Sequence, residues 1–175
     1  MNVVLIGYRC SGKTTAGKII AKKMKRAFLD TDVMIEDKAG RSIAEIVSIN
    51  GWEYFREIER DIIKDISTRD SIVVATGGGI VMDEGNVRGL KQNGFIVWLK
   101  GDIDVLKERM EKDDGSGRRR PSLTGEEPMD EIEKVLNIRN PLYLKAGDLV
   151  VDTSQLSVQE VADLILKELA KAGVN

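Results

Sequence analysis

Gly7-Tyr8-Arg9-Cys10-Ser11-Gly12-Lys13-Thr14 matches the pattern G-x-x-x-x-G-K-[ST] in full. With glycine at about 7% of average sequence, such a match arises by chance in only on the order of one chain in a hundred. Its context sharpens the reading. The short run Val3-Val4-Leu5-Ile6 precedes the first glycine and reads as a buried parallel strand. After the motif, Ile19, Ile20 and Met24 recur at helical spacing between Lys13 and Lys25. A glycine loop between a strand and a helix is a phosphate cradle. Its backbone N–H groups turn inward around phosphate oxygens, and the helix N-terminus adds its positive dipole. Gly7, Arg9, Cys10, Ser11, Gly12 and Thr15 are therefore candidate nucleotide contacts. Lys13 is expected to reach the β- and γ-phosphates, and the Thr14 hydroxyl to ligate Mg²⁺.

Working outward, strands alternate with helices. Phe28-Leu29 is a second strand, closing at Asp30-Thr31-Asp32. Ser42 caps a helix beginning at Ile43, with Glu45 completing a capping box. Another helix spans about 52–67, with Phe55, Ile58, Ile62, Ile63 and Ile66 as its apolar stripe. Strand Ile72-Val73-Val74-Ala75 runs into Gly77-Gly78-Gly79, and a helix near 83–92 and a strand over 95–99 follow. A helix starting at Asp102 or Asp104 turns Val105, Leu106 and Met110 inward. A helix over about 129–144 precedes strand Leu149-Val150-Val151, and a last helix from about Ser157 turns Val158, Val161, Leu164, Ile165 and Leu169 inward. The pattern predicts an α/β protein, three layers deep, with a five-stranded parallel sheet at its centre. Segment 113–128 breaks the rhythm: it holds Gly115, Gly117, Arg118-Arg119-Arg120, Pro121 and Pro128 without apolar period, and reads as a functional loop or lid.

Composition narrows the chemistry. The 175 residues suit one domain, and no repeat or interdomain linker interrupts them. Histidine is absent, which removes every His-based triad and imidazole acid–base catalysis. A single cysteine excludes an intrachain disulfide or a multi-thiolate metal site and fits a reducing cytoplasm. Net charge is −2 with a pI near 5.4, which argues against nucleic acid as a partner. No apolar run approaches the roughly 20 residues that span a bilayer, so no membrane partner is expected.

The cradle identifies the donor, not the acceptor. GTPases, ATPases, nucleotide kinases and metabolite kinases all share it, although no N-K-x-D guanine signature is present. Candidates for the acceptor side gather where the strands end, the place ligands occupy in open α/β sheets. Asp30 and Asp32 can serve different neighbours, one the Mg²⁺ water shell and one an acceptor hydroxyl; a helix cap explains either equally simply. Gly77-Gly78-Gly79 demands bare backbone, for a ligand or for a turn. Arg56 has Glu59 three residues on to orient it, although such a pair is commonly a solvated helix face.

Taken together, Gly7–Thr15, Phe28-Leu29-Asp30-Thr31-Asp32, Gly40-Arg41-Ser42-Ile43, Phe55-Arg56, Gly77–Gly79, Arg120-Pro121 and Arg139-Asn140-Pro141-Leu142-Tyr143 resemble the shikimate kinase family in order and spacing. The resemblance implies a P-loop kinase fold, with a shikimate-binding helical segment at about 32–66 and a lid at about 113–128. It implies ATP as co-substrate, Mg²⁺ as cofactor and phosphorylation of the 3-hydroxyl of shikimate. Residue by residue, it puts Lys13 and Thr14 on phosphates and Mg²⁺, and Asp30 on the metal through water. It gives Asp32 to the shikimate hydroxyls as candidate base, and Arg56 and Arg139 to the shikimate carboxylate. Gly77, Gly78 and Gly79 line the acceptor with backbone N–H groups, Glu59 stands beside Arg56, and Arg120 reaches the transferring phosphate. Lys112 lies near where relatives cover the adenine. A cytoplasmic monomer is expected. Two departures stand out: Cys10 occupies a cradle position where small residues are common, and the lid is longer than in many relatives. A kinase for gluconate or a nucleoside monophosphate is the alternative within the class, and a catalytically silent ATP-binding module the alternative outside it.

Overall fold

The computed structural model describes residues 1–113 and 128–174. Its centre is a five-stranded, all-parallel sheet in the order β2-β3-β1-β4-β5, built from β1 (Asn2–Ile6), β2 (Ala27–Asp30), β3 (Ile72–Ala75), β4 (Gly94–Lys100) and β5 (Leu149–Asp152). Period-two alternation in β1 sends its residues to opposite faces. Val3 and Leu5 pack with Ala16 and Ile20 of α1 (Lys13–Met24) and with Val161 and Ile165 of α7 (Val158–Lys171). Val4 and Ile6 face the other layer. There they meet Phe55, Ile58 and Ile62 of α3 (Ile43–Ser67), Leu90 of α4 (Glu84–Gln92) and Tyr143 of α6 (Pro128–Ala146). Both faces are covered, which is why the strands read as unbroken apolar runs.

The expected architecture is present, and most boundaries agree within a residue or two. Ser42 and Glu45 form the capping box at the start of α3. Gly51, at φ 81° and ψ 171°, breaks α3 where the sequence reading separates two helices. Helix α5 (Ile103–Asp113) starts from Asp102, whose carbonyl accepts from Leu106 N. Three details differ. Helix α2 (Thr31–Ala39) begins directly at the end of β2, and Ile80–Met82 form a short 3₁₀ turn after the glycines. Val158 and Leu164 of α7 are exposed rather than inward, because its buried stripe runs through Val161, Ala162, Ile165 and Leu169.

This order places the site. The chain leaves β1 towards β2 on one side, returns through β3, and passes β1 to reach β4. Crevices at such reversals, outside the carboxyl ends of the strands, are where open α/β sheets bind ligands. The cradle follows β1, Asp30 ends β2, and Thr76-Gly77 follows β3. No helix among the described residues is long and apolar enough to cross a membrane.

Candidate active site

The cradle is shaped by backbone conformations that few side chains permit. Gly7 has φ 142°, and a Cβ there would run into the Leu99 carbonyl oxygen; Gly12, at φ 91°, precedes the first turn of α1. Cys10 also lies at positive φ, 59°. Its sulfur reaches to 4.0 Å from Asp113 Oδ2, and the residue packs beside Tyr8, Leu106 and Met110. Ser11 and Lys13 are buried. Lys13 Nζ donates to the Tyr8 carbonyl at 2.6 Å and to Ser11 Oγ at 3.4 Å, so the ammonium is held inside the loop that it would share with phosphates. Thr15 is exposed in the first turn of α1.

Thr14 and Asp30, the two metal candidates, meet. Thr14 Oγ1 donates to Asp30 Oδ2 at 2.8 Å, while Asp30 Oδ1 accepts from Asp32 N at 3.0 Å and caps α2. Asp30 therefore caps α2 with one oxygen and holds the other metal candidate with its second. A hydroxyl and a carboxylate are the hard oxygen donors that Mg²⁺ takes, with waters and substrate phosphates completing its octahedron. The residues present fit the ion.

Beside the cradle opens a cleft lined by Tyr8, Arg9, Asp32, Ile43, Trp52, Phe55, Arg56, Glu59, Gly77, Gly78, Gly79 and Arg139. It brings together every acceptor candidate from the sequence. Asp32, in the first turn of α2, sits over Gly77, where a Cβ would come within 2.7 Å of its Oδ1. Thr31 Oγ1 accepts from Gly77 N at 2.9 Å, fixing the glycine run to α2. Arg56 Nη1 donates to Glu59 Oε2 at 2.6 Å, and its guanidinium carbon lies 5.1 Å from the Phe55 ring centroid and 5.9 Å from that of Trp52. Arg56 lies so close over Gly79 that a Cβ there would overlap its Nη2. Arg139 Nη1 donates to the Gly78 carbonyl at 3.1 Å, and the buried Tyr143 hydroxyl donates to the same oxygen.

Glu59 is fully buried behind Arg56, and its Oε1 has no hydrogen-bond partner among the described residues. Burial pushes its carboxyl above the usual glutamate range, against the pull of Arg56. Its position is that of a support for Arg56. Burial likewise pushes the Tyr143 phenol up to about 12, so it remains a donor across the working pH range.

Two nucleotide candidates point elsewhere. Arg9 Nη2 donates to Glu131 Oε1 of α6 at 2.7 Å, and Lys112 is exposed and paired with Glu108 at 2.6 Å on its own helix. Arg120, and segment 113–128 apart from Asp113 and Pro128, lie outside the described residues. The sequence reading missed the roles of Tyr8, Trp52, Thr31 and Glu131. Only Trp52, an aromatic one turn before Arg56, carried a local signal for its place beside the clamp.

Comparisons with known proteins point to one family. Residues 9–170 match the family model described as shikimate kinase. Over 182 residues the chain is 40% identical to the shikimate kinase of Syntrophus aciditrophicus (strain SB), covering 99% of this chain and 93% of that protein. It is 42% identical over 167 residues to the shikimate kinase of Thermodesulfovibrio yellowstonii, covering 95% and 94% respectively. Among solved structures it is similar to shikimate kinase from Acinetobacter baumannii in complex with shikimate. That likeness has a TM-score of 0.90 and 32% identity, over 99% of this chain and 95% of the other.

Proposed function

The chain belongs to the shikimate kinase family, and from that premise we propose that the cleft beside its phosphate loop is where shikimate meets the γ-phosphate of ATP. The enzyme phosphorylates shikimate with ATP, using Mg²⁺, in aromatic amino acid biosynthesis. One observation carries the assignment of the site. Arg56 and Arg139, far apart in sequence, line the same cleft as Asp32, next to the cradle of Lys13.

The proposed roles follow from charge and reach. Two guanidinium forks suit a small carboxylate, which they can bind bidentately. Asp32 receives or orients the attacking 3-hydroxyl, as base or as positioning acceptor. Gly77–Gly79 let the substrate approach bare backbone. Lys13 neutralises phosphate charge, Gly7, Ser11 and Gly12 shape the cradle, and Thr14 with Asp30 would hold Mg²⁺. The ion supplies charge neutralisation on phosphate oxygens when bound. Phosphoryl transfer rests on positioning and electrostatics, so the lack of histidine is no obstacle. Arg120 and the lid segment keep the roles that the resemblance implies. The reading keeps a small molecule as the partner, and the acidic net charge supports it in leaving out nucleic acid.

The test is a coupled assay of ADP release with shikimate, gluconate and a nucleoside monophosphate as acceptors. Turnover with shikimate alone is expected. Preference for either of the others would reassign the cleft.

A further inference from the structure

We propose that Arg9, although part of the phosphate loop, serves the acceptor: paired with Glu131, it fixes helix α6 so that Arg139 is aimed into the cleft. The proposal deepens the reading above and rests on it in taking Arg139 as a ligand of the substrate carboxylate.

Arg9 is committed to its partner. The ion pair spans 2.7 Å, with 11% of the Arg9 side chain exposed and none of that of Glu131. To contact a phosphate, the guanidinium would have to abandon a buried carboxylate, which is strongly unfavourable. The Tyr8 ring covers the pair on one side, 5.4 Å from the Arg9 guanidinium carbon, and Tyr8 is itself buried against Leu106, Ile132 and Val135.

The same helix has a second attachment. Arg139, roughly two turns beyond Glu131, and Tyr143, about one turn further, both donate to the Gly78 carbonyl. Gly78 in turn packs on the cradle backbone, where a Cβ would come within 3.3 Å of Gly7 O and 3.5 Å of Arg9 N. Helix α6 is thus pinned to the phosphate loop at Glu131 and to the loop's neighbour at Gly78. With the first pin removed, the start of the helix is held only by the apolar contacts of Ile132, Val135 and Leu136, so it can shift along them and carry the Arg139 backbone away from Gly78. Buried ion pairs rarely add stability over apolar contacts. What this one provides is direction.

The test compares kcat/KM for shikimate with kcat/KM for its carboxamide analogue, in the wild type, Arg9→Met, Glu131→Gln and the double variant. The ratio is taken on one preparation, so the folded fraction cancels. The wild type should favour the carboxylate. That preference should fall about tenfold in each single variant, and no further in the double, as coupled positions behave. The KM for ATP should stay within about twofold. Ratios equal to that of the wild type in either single variant would overturn the proposal. So would losses that multiply in the double variant, or a raised ATP KM in Arg9→Met with the ratio intact. A wild type without preference for the carboxylate would instead defeat the clamp itself, and this proposal with it.

Discussion

The Thr14 hydroxyl donates to the Asp30 carboxylate across 2.8 Å, joining the first turn of α1 to the last residue of β2. The other oxygen of Asp30 caps α2 through Asp32 N. One side chain therefore holds a structural and a proposed metal role, and substitution can separate them. Asparagine caps helices about as well as aspartate but carries no charge. Asp30→Asn should leave the melting temperature nearly unchanged while raising the Mg²⁺ concentration needed for half-maximal activity. Asp30→Ala should in addition lose about 1 kcal/mol of stability. A Mg²⁺ titration of Asp30→Asn that overlays the wild type would remove Asp30 from the metal site.

Gly79 lies directly under the Arg56 guanidinium, which is held from behind by Glu59 and flanked by Phe55 and Trp52. An added methyl group has nowhere to go unless Arg56 moves. Gly79→Ala should raise the shikimate KM by about tenfold or more, since displacing one partner of a desolvated charge pair costs about 2–5 kcal/mol. The KM for ATP should hold, because the cradle glycines are untouched. Steady-state kinetics with each substrate varied in turn would decide it, and an unchanged shikimate KM would mean that Arg56 does not bind the acceptor where it stands.

Asp32 sits in the first turn of α2, over the bare backbone of Gly77. Asp32→Asn preserves its shape and removes the charge. Turnover should fall by about 10²–10⁴, the usual reach of general-base assistance, while ATP affinity changes little. Rapid-quench measurement of the chemical step is the appropriate readout. Near-normal turnover would leave Asp32 as a helix-start residue only.

Much of this was legible from sequence because the signals are local. The cradle glycines Gly7 and Gly12 announce positive φ, the Ser42–Glu45 box announces a helix start, and the glycine run announces backbone that its neighbours approach too closely for a Cβ. Gly51 shows the same logic, breaking α3 where the apolar period restarts. Helix α2 falls in the helical segment that the resemblance implies, but its own residues do not announce it: only Thr31 and Ile35 are buried in it, too few to set a period. Nor was the direction of Arg9. Membership in the loop suggests phosphate, and the carboxylate that captures it lies on α6, distant in the chain. Lys112 similarly meets Glu108 one turn back rather than a nucleotide face. Side-chain aim is a tertiary property wherever two partners compete for one charge.

Glu59 gives a prediction whose sign follows from burial. Its carboxyl titrates above the ordinary glutamate value of 4.5, chiefly because burial penalises the charged form. Well above the raised value, both folded and unfolded states are ionised, and the folded state bears the full penalty. As pH falls through the raised value towards 4.5, the folded state takes up its proton first, so acidification favours folding at this position. Glu59→Gln has no proton to take up. The difference in melting temperature, wild type minus variant, should therefore shift in favour of the wild type as pH falls through the raised value towards 4.5. All other titrating groups are common to both proteins and cancel in the difference. The ion pair with Arg56 at 2.6 Å opposes the effect of burial, and the direction of the shift reports which wins. A difference that moves against the wild type on acidification would show that Arg56 holds Glu59 below its ordinary value. Glu59 would then be an ionised partner stabilised by the clamp, rather than a buried support strained by its own charge.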